Sequence, residues 1–279
     1  MGNSRIKPIY HHTRMPELAE VEYYRKQWSP GIGQIVAGVE LHPDKRIYRG
    51  VDTDALVRGL KGRPLKKSMT HGKRMCFIFG DRHWLGVHLG MTGKNFVRGE
   101  DYQPAKHDHL VVAMESGTKL VFSDPRLFGR IHYAESRTPP EWWSDLPAEI
   151  LSDAFTVERL QNFLKRRARA AIKAVLLMQE VFPGIGNWMA DEILWRARLH
   201  PATPAGQLCK RQQDELYRRI REVSRDALEV IGSDWNTPPD DWLFNHRWRD
   251  GGICPKTGRP LVREKIGGRT TCWSPAWQK

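Results

Sequence analysis

The sequence contains no Cys-x2-Cys pair. Its four cysteines, Cys76, Cys209, Cys254 and Cys272, are scattered over 279 residues, which argues against a complete four-cysteine zinc site and against a secreted disulfide scaffold. No apolar run reaches membrane-spanning length, so no membrane partner is expected. The opening residues MGNSRIKPIYHHTR hold no apolar segment and do not read as a secretory signal. Acids are scarce beside bases: 32 Asp and Glu against 45 Lys and Arg, a formal charge of +13. Such an excess points to a polyanionic partner, most often nucleic acid. These absences favour a cytoplasmic, nucleoid-associated protein. The 11 tryptophans are the opposite case, an abundance that suits core packing and, for some, stacking on bases.

Residues 1–14 are polar and basic and read as an unstructured extension or an artefact. A helix is expected from Pro16 to about Trp28, with Pro in its first turn, Glu17, Glu20 and Glu22 early and Arg25 and Lys26 late. From Gly33 to about Tyr133, short apolar runs such as RMCFIFG and HLVVAME alternate with Gly, Asp and Asn, as in a β-sandwich or barrel. Residues 15–135 are therefore expected to form a β-domain, and the Pro-rich stretch within 136–150 a linker. Helical periodicity over 156–166, 170–181, 187–199 and 207–231 predicts a helical domain at 151–241, and the Gly- and Pro-spaced tail, 242–279, ends in a predicted hairpin. The fold class is α+β, without internal repeats.

The run PGIGNWMADEILWRARLHP, 183–201, places Gly184 and Gly186 directly before a helix starting near Asn187. First-turn amides of a helix lack internal partners and carry the positive end of its dipole. A turn without side chains, Gly186 included, lets a phosphate approach them. A tight turn between helices accounts for the same residues.

Several motifs fall in one order: PELAEVE at 16–22, HGK at 71–73, HLGMTG at 88–93, KHDH at 106–109, DPRLFGR at 124–130, PGIGN at 183–187 and GGRTT at 267–271. In this order, over Met15 to Lys279, the chain resembles the formamidopyrimidine-DNA glycosylase / endonuclease VIII family of base-excision repair enzymes. The resemblance implies a β-sandwich domain with flanking helices, a helix–two-turn–helix domain and a finger hairpin. It implies a monomer acting on damaged double-stranded DNA, as a bifunctional glycosylase and AP lyase.

By the same resemblance, the nucleophile is an N-terminal proline amine at Pro16, which displaces the base and forms a Schiff-base-type iminium with the opened sugar. Glu17 matches the general acid/base, Glu20 an acid that orients the N-terminus, and Lys73 a cation assisting catalysis at the flanking phosphates. Asn187 and Arg269 match a phosphate pincer, and Lys173 a further contact near the lesion. Met91, Arg126 and Phe128 match the trio that fills the void left by the flipped base. His107 and His109 suggest metal ligation at first sight, but hydrogen-bonded structural histidines, or phosphate contacts from Lys106 and His107, are preferred.

The sequence departs from the family pattern in places. The positions of the usual zinc ligands read Cys254, Thr257, Ser274 and Trp277, so no zinc or other cofactor is expected; a zincless finger packed through Trp273, Trp277 and Ile266 replaces it. Met15 and fourteen further residues precede Pro16, whose nitrogen is a nucleophile only when free; a start at Met15, later removed, is favoured. Leu127 replaces a common arginine, Ala19 a proline and Met178 an aspartate, and the 232–242 loop reads as shortened, which leaves the lesion spectrum open. A lesion-binding protein without catalysis is the alternative reading. A module bound to structured RNA fits the charge but leaves Glu17 and the void-filling trio unexplained.

Overall fold

A computed structural model describes residues 15–279; the expected extension at 1–14 lies outside them. Eight strands follow in the first half: β1 (Val36–Leu41), β2 (Leu65–His71), β3 (Arg74–Phe79), β4 (His83–His88), β5 (Lys94–Arg98), β6 (Asp108–Met114), β7 (Lys119–Ser123) and β8 (Arg130–Glu135). They form two antiparallel four-stranded sheets, ordered β1-β6-β7-β5 and β2-β3-β4-β8. Alternation sets the inner faces: Leu110, Val112 and Met114 of β6 and Leu120 and Phe122 of β7 meet Met75, Phe77, Phe79, Leu85 and Val87 of the other sheet in one core.

The helices are α1 (Leu18–Lys26), α2 (Thr53–Leu60), α3 (Glu141–Ser144), α4 (Val157–Arg166), α5 (Ile172–Leu176), α6 (Asn187–Arg196) and α7 (Lys210–Asp234). The closing hairpin pairs β9 (Val262–Ile266) with β10 (Arg269–Trp273). Helices α4 to α7 enclose a second core built on Leu160, Phe163, Phe182, Trp188, Ile193 and Leu216. Helix α1 joins the two: Ala19 packs into the helical core and Val21 into the sandwich core. The chain's first described residues are thereby fixed at the junction. Among the described residues, no helix is long and apolar enough to cross a membrane.

Three elements differ from the sequence reading. Helix α2 interrupts the strand-rich region; Asp52 caps it by accepting from Ala55 N at 2.8 Å, and Leu56 and Leu60, one turn apart, are buried. The helix expected over 170–181 stops at Leu176 because the Gln179 amide takes over the following turn, donating to Leu177 O and Ile185 O and accepting from Gly184 N. The stretch read as a linker is bound to the sheet: Trp142 of α3 stacks on His132 at 5.3 Å, and its carbonyl accepts from Arg74. A Cβ on Gly86 would meet the Trp142 ring at 2.7 Å, so that position needs glycine's bare backbone.

Candidate active site

Three segments meet at the domain junction: the start of α1, the β2–β3 turn and the entry to α6. Pro16 and Glu17 are buried there. The Glu17 carboxylate accepts from Gly186 N at 2.9 Å, Trp188 N at 2.9 Å and Met189 N at 3.1 Å. It therefore occupies the amides at the N-terminus of α6 that the sequence reading offered to a phosphate; the Gly186 N–H in particular belongs to Glu17. The glycines permit this approach. A Cβ on Gly186 would lie 2.2 Å from the Glu17 carboxyl carbon, and one on Gly72 (φ +58°) 2.8 Å from Pro183.

Glu20 sits beside Glu17 and closes back on it, accepting from Glu17 N at 3.2 Å and from the Trp188 indole at 2.9 Å. Burial, aided by the neighbouring Glu17 charge, pushes the Glu20 carboxyl up to about 7. Burial also raises Glu17, and it prevails over the opposing pull of Lys73 and of the Trp188 and Met189 amides. Lys73, on the turn closed by the His71–Arg74 pair, has its ammonium pushed down by burial, with Arg269 adding to the effect and Glu17 and Glu20 opposing it. The cluster thus places two carboxyls raised by burial and one amine lowered by burial near Pro16. Groups shifted in this way are chemically suited to proton transfer.

The void-filling candidates lie on one exposed loop edge. Arg126 and Phe128 project into solvent, with the Arg126 guanidinium 4.6 Å and the Arg46 guanidinium 5.0 Å from the Phe128 ring centre. Half-buried Met91 follows Gly90 (φ +64°), whose missing Cβ would collide with the Phe128 carbonyl at 2.5 Å; the two loops are therefore in backbone contact. Leu127 adopts φ +57°, a left-handed conformation that costs a non-glycine residue about 1–2 kcal/mol. The loop is held by Asp124, which accepts from Thr92 Oγ1, Arg126 N and Gly129 N, and by Arg46, which donates to Leu127 O and Arg126 O. Asp124 was legible as the first residue of DPRLFGR; Arg46 gave no sequence signal. In KHDH, Lys106 and His107 are exposed, whereas buried His109 bonds to Asp124 O at 3.0 Å and Asp108 accepts from Tyr102 and Ala105 N.

Asn187, the first residue of α6, donates to Thr270 O at 2.8 Å and so ties the helix to the finger hairpin. Arg269 is exposed at the tip of that hairpin. Lys173 is elsewhere: wholly buried, it pairs with Asp191 and donates to Asn187 O at 2.6 Å. A direct phosphate contact from Lys173 does not fit this burial. Asp191 also pairs with Arg247 and accepts from Cys272 N at 3.0 Å, so one carboxylate links α5, α6, the 242–247 segment and β10. Sequence reasoning missed Asp191, Arg247 and Trp188, since each reads as an ordinary helix or loop residue until its partners are known.

The finger's residues do not fit zinc. Cys254 is buried and accepts from the Trp195 indole at 3.5 Å. Burial raises its thiol, but the Ser274 and Thr257 hydroxyls and Trp195 outweigh that and hold it below its ordinary value. Trp277 donates to Trp195 O at 3.0 Å, with the Arg198 guanidinium 3.8 Å from its ring centre. One thiol, two hydroxyls and an indole offer no tetrahedral ligand set. Cys254, Leu261 and Cys272 pack instead with Trp195 and Leu243 in a small core, with Trp277 against it. Trp273 lies outside that core, its indole on Glu264 and its ring against His200 at 4.1 Å.

Comparison with known proteins gives the same two-part division. The family model for the formamidopyrimidine-DNA glycosylase N-terminal domain matches residues 15–131, and that for the formamidopyrimidine-DNA glycosylase H2TH domain matches 146–238. A formamidopyrimidine-DNA glycosylase of Roseiflexus is 35% identical, covering 95% of this chain and 100% of the relative. One from Thermus thermophilus is 36% identical, over 95% and 98%. Among solved structures, the Lactococcus lactis enzyme in complex with a DNA containing N7-benzyl-Fapy-dG superimposes with a TM-score of 0.84 at 26% identity, covering 95% of this chain and 100% of that one. The chain belongs to the formamidopyrimidine-DNA glycosylase family.

Proposed function

We propose that this protein excises oxidised bases from duplex DNA and then cleaves the strand, with the Pro16 nitrogen as nucleophile. The observation that carries the proposal is the cluster of buried Glu17 and Glu20 with half-buried Lys73 beside the residue that follows Met15. The free secondary amine attacks the sugar C1′. The N–C1′ bond forms as the glycosidic bond breaks, and the departing base takes the electron pair and the proton that the amine nitrogen sheds. Glu17, whose carboxyl burial raises above its ordinary value, gives a proton to the ring oxygen as the C1′–O4′ bond breaks; C1′ becomes an iminium, which acidifies the C2′ hydrogen. Loss of that proton expels the 3′ phosphate and cuts the strand. Lys73, close in charge to Arg269, helps neutralise the flanking phosphates.

Arg269, Asn187, Lys106 and His107 line the strand on this reading, while Met91, Arg126 and Phe128 enter the space left by the extruded nucleotide. Gly186 and Lys173 support the site from beneath. One chain supplies every group, so a monomer suffices, and the positive charge suits residence with the nucleoid. The working chain starts at Pro16, in keeping with a family match that begins at residue 15. A non-catalytic lesion binder of the same fold is the second reading, because a proline nitrogen held in a peptide bond has no lone pair to attack with.

A panel of duplexes carrying 8-oxoguanine, oxidised pyrimidines or ring-opened purines, incubated with protein beginning at Pro16, tests the function. Base release with nicking of at least one lesion duplex is expected. Tight binding without any nick would assign the chain to the second reading.

A further inference from the structure

The end of the β2-β3-β4-β8 sheet remote from Lys73 holds a second basic concavity. A cavity of about 650 Å³ is lined there by Arg63, Lys66, Asp81, Arg82, His83 and Arg137, completed by glycines and Pro64. Strand β2 runs from Leu65 at this end to His71 beside the catalytic turn, so at about 3.3 Å per residue the two sites lie roughly 20 Å apart. Lys66 pairs with Asp81, and Arg82 reaches Glu135 at 3.2 Å. Among the described residues, Arg63 and Arg137 have no carboxylate partner.

The wall contains a buried polar ring. His83 is 5% exposed and stacks parallel to Tyr133, its Nδ1 hydrogen-bonded to the Tyr133 hydroxyl at 2.9 Å. Gly59 of α2 passes over this pair so closely that a Cβ would lie 1.8 Å from the hydroxyl. The ring is therefore fixed from above. Its Cδ2, the carbon beside Nε2, is the atom turned toward Gly80, which lines the cavity; a Cβ there would sit 3.9 Å away. Cations crowded round a concavity repel one another until an anion enters, and guanidinium forks match phosphoryl oxygens in geometry as well as charge.

We propose that this cavity binds a phosphoryl group, carried by a free nucleotide or polyphosphate or by the backbone of a second DNA segment. Arg63 and Arg137 supply the forks, and His83 the polar wall. Calorimetric titration of the full chain with sodium tripolyphosphate tests it against the Arg63→Ala/Arg137→Ala variant. Both arginines are exposed, so the variant folds as the parent does. The expected result is saturable one-to-one binding, weakened at least about tenfold in the variant by loss of two charge-assisted contacts, with nicking of a short lesion duplex unchanged. Indistinguishable titrations of parent and variant would overturn the proposal, whatever the protein does at the catalytic turn. The source is read by adding a labelled second duplex to protein saturated with a short one. A ternary complex lost in the variant assigns the DNA backbone, whereas tripolyphosphate binding without a ternary complex assigns the free phosphate.

Discussion

Glu17 and Glu20 stand three residues apart at one helix start, and their surroundings divide the work between them. Glu17 faces the amides of α6 and the space next to Pro16, while Glu20 faces the Glu17 backbone and the Trp188 indole. Replacing Glu17 by Gln removes a proton donor and turns one of the two oxygens that accept the α6 amides into an NH2 donor. Excision of damaged bases should fall by about 100-fold or more, with residual cutting at preformed abasic sites, read on denaturing gels. Full excision by that variant would end the general-acid role. Glu20 makes a separate prediction in pH. Its carboxyl lies near 7 in the folded chain against an ordinary 4.5, so the folded state holds the extra proton between those values. The stability linked to Glu20 is complete below about pH 4.5 and is lost as pH rises toward 7. His88 and His132 have the opposite sign: burial and nearby Arg74 hold both at about 4 against 6.5, so their linked stability grows as pH rises through that window. Between pH 5 and 7, the Tm of Glu20→Gln should therefore climb relative to the parent in calorimetry. Parallel profiles would show that the two states share one pKa there.

At the scale of elements, the α6 entry and the finger hairpin form one device. Asn187 bonds the hairpin at Thr270, and Asp191 bonds it at Cys272, so Arg269 is presented from a strand anchored twice on the same helix. If Arg269 grips a phosphate, Arg269→Ala weakens duplex binding and lowers the salt slope by about 0.9, the value of one contact on B-DNA. An unchanged slope in filter-binding or anisotropy titrations would remove Arg269 from the clamp. The strands were legible because alternation along HLVVAME and KLVFS matches a half-buried sheet, and α4 and α7 because their apolar period persists over ten residues or more. Short elements escaped: α2 has eight residues and α3 four, and nothing local in EWWS reveals that Trp142 lies on Gly86 and His132. The candidate site was legible as residue types in order. Its wiring was not. The turn amides at 186–189 look ready for a phosphate in sequence, and only the convergence of α1 shows that a carboxylate 169 residues away takes them. Lys173 likewise reads as a free cation until Asp191 is seen beside it.

For the whole molecule, the decisive feature is that α1 belongs to both cores. Ala19 anchors it in the helical domain and Val21 in the sandwich, which fixes the start of α1 where the β2–β3 turn and the α6 entry meet it. Cys254 packs with Leu261, Cys272, Trp195 and Leu243 in the finger's own small core. The central claim concerns the one atom that this architecture positions and the 279-residue sequence leaves acylated. Borohydride reduction during incubation with abasic-site DNA measures it, comparing protein that begins at Pro16 with protein retaining residues 1–15. The account predicts a covalent adduct at the Pro16 nitrogen for the former and none there for the latter. Equal adduct from both, or none from the chain that begins at Pro16, would contradict it.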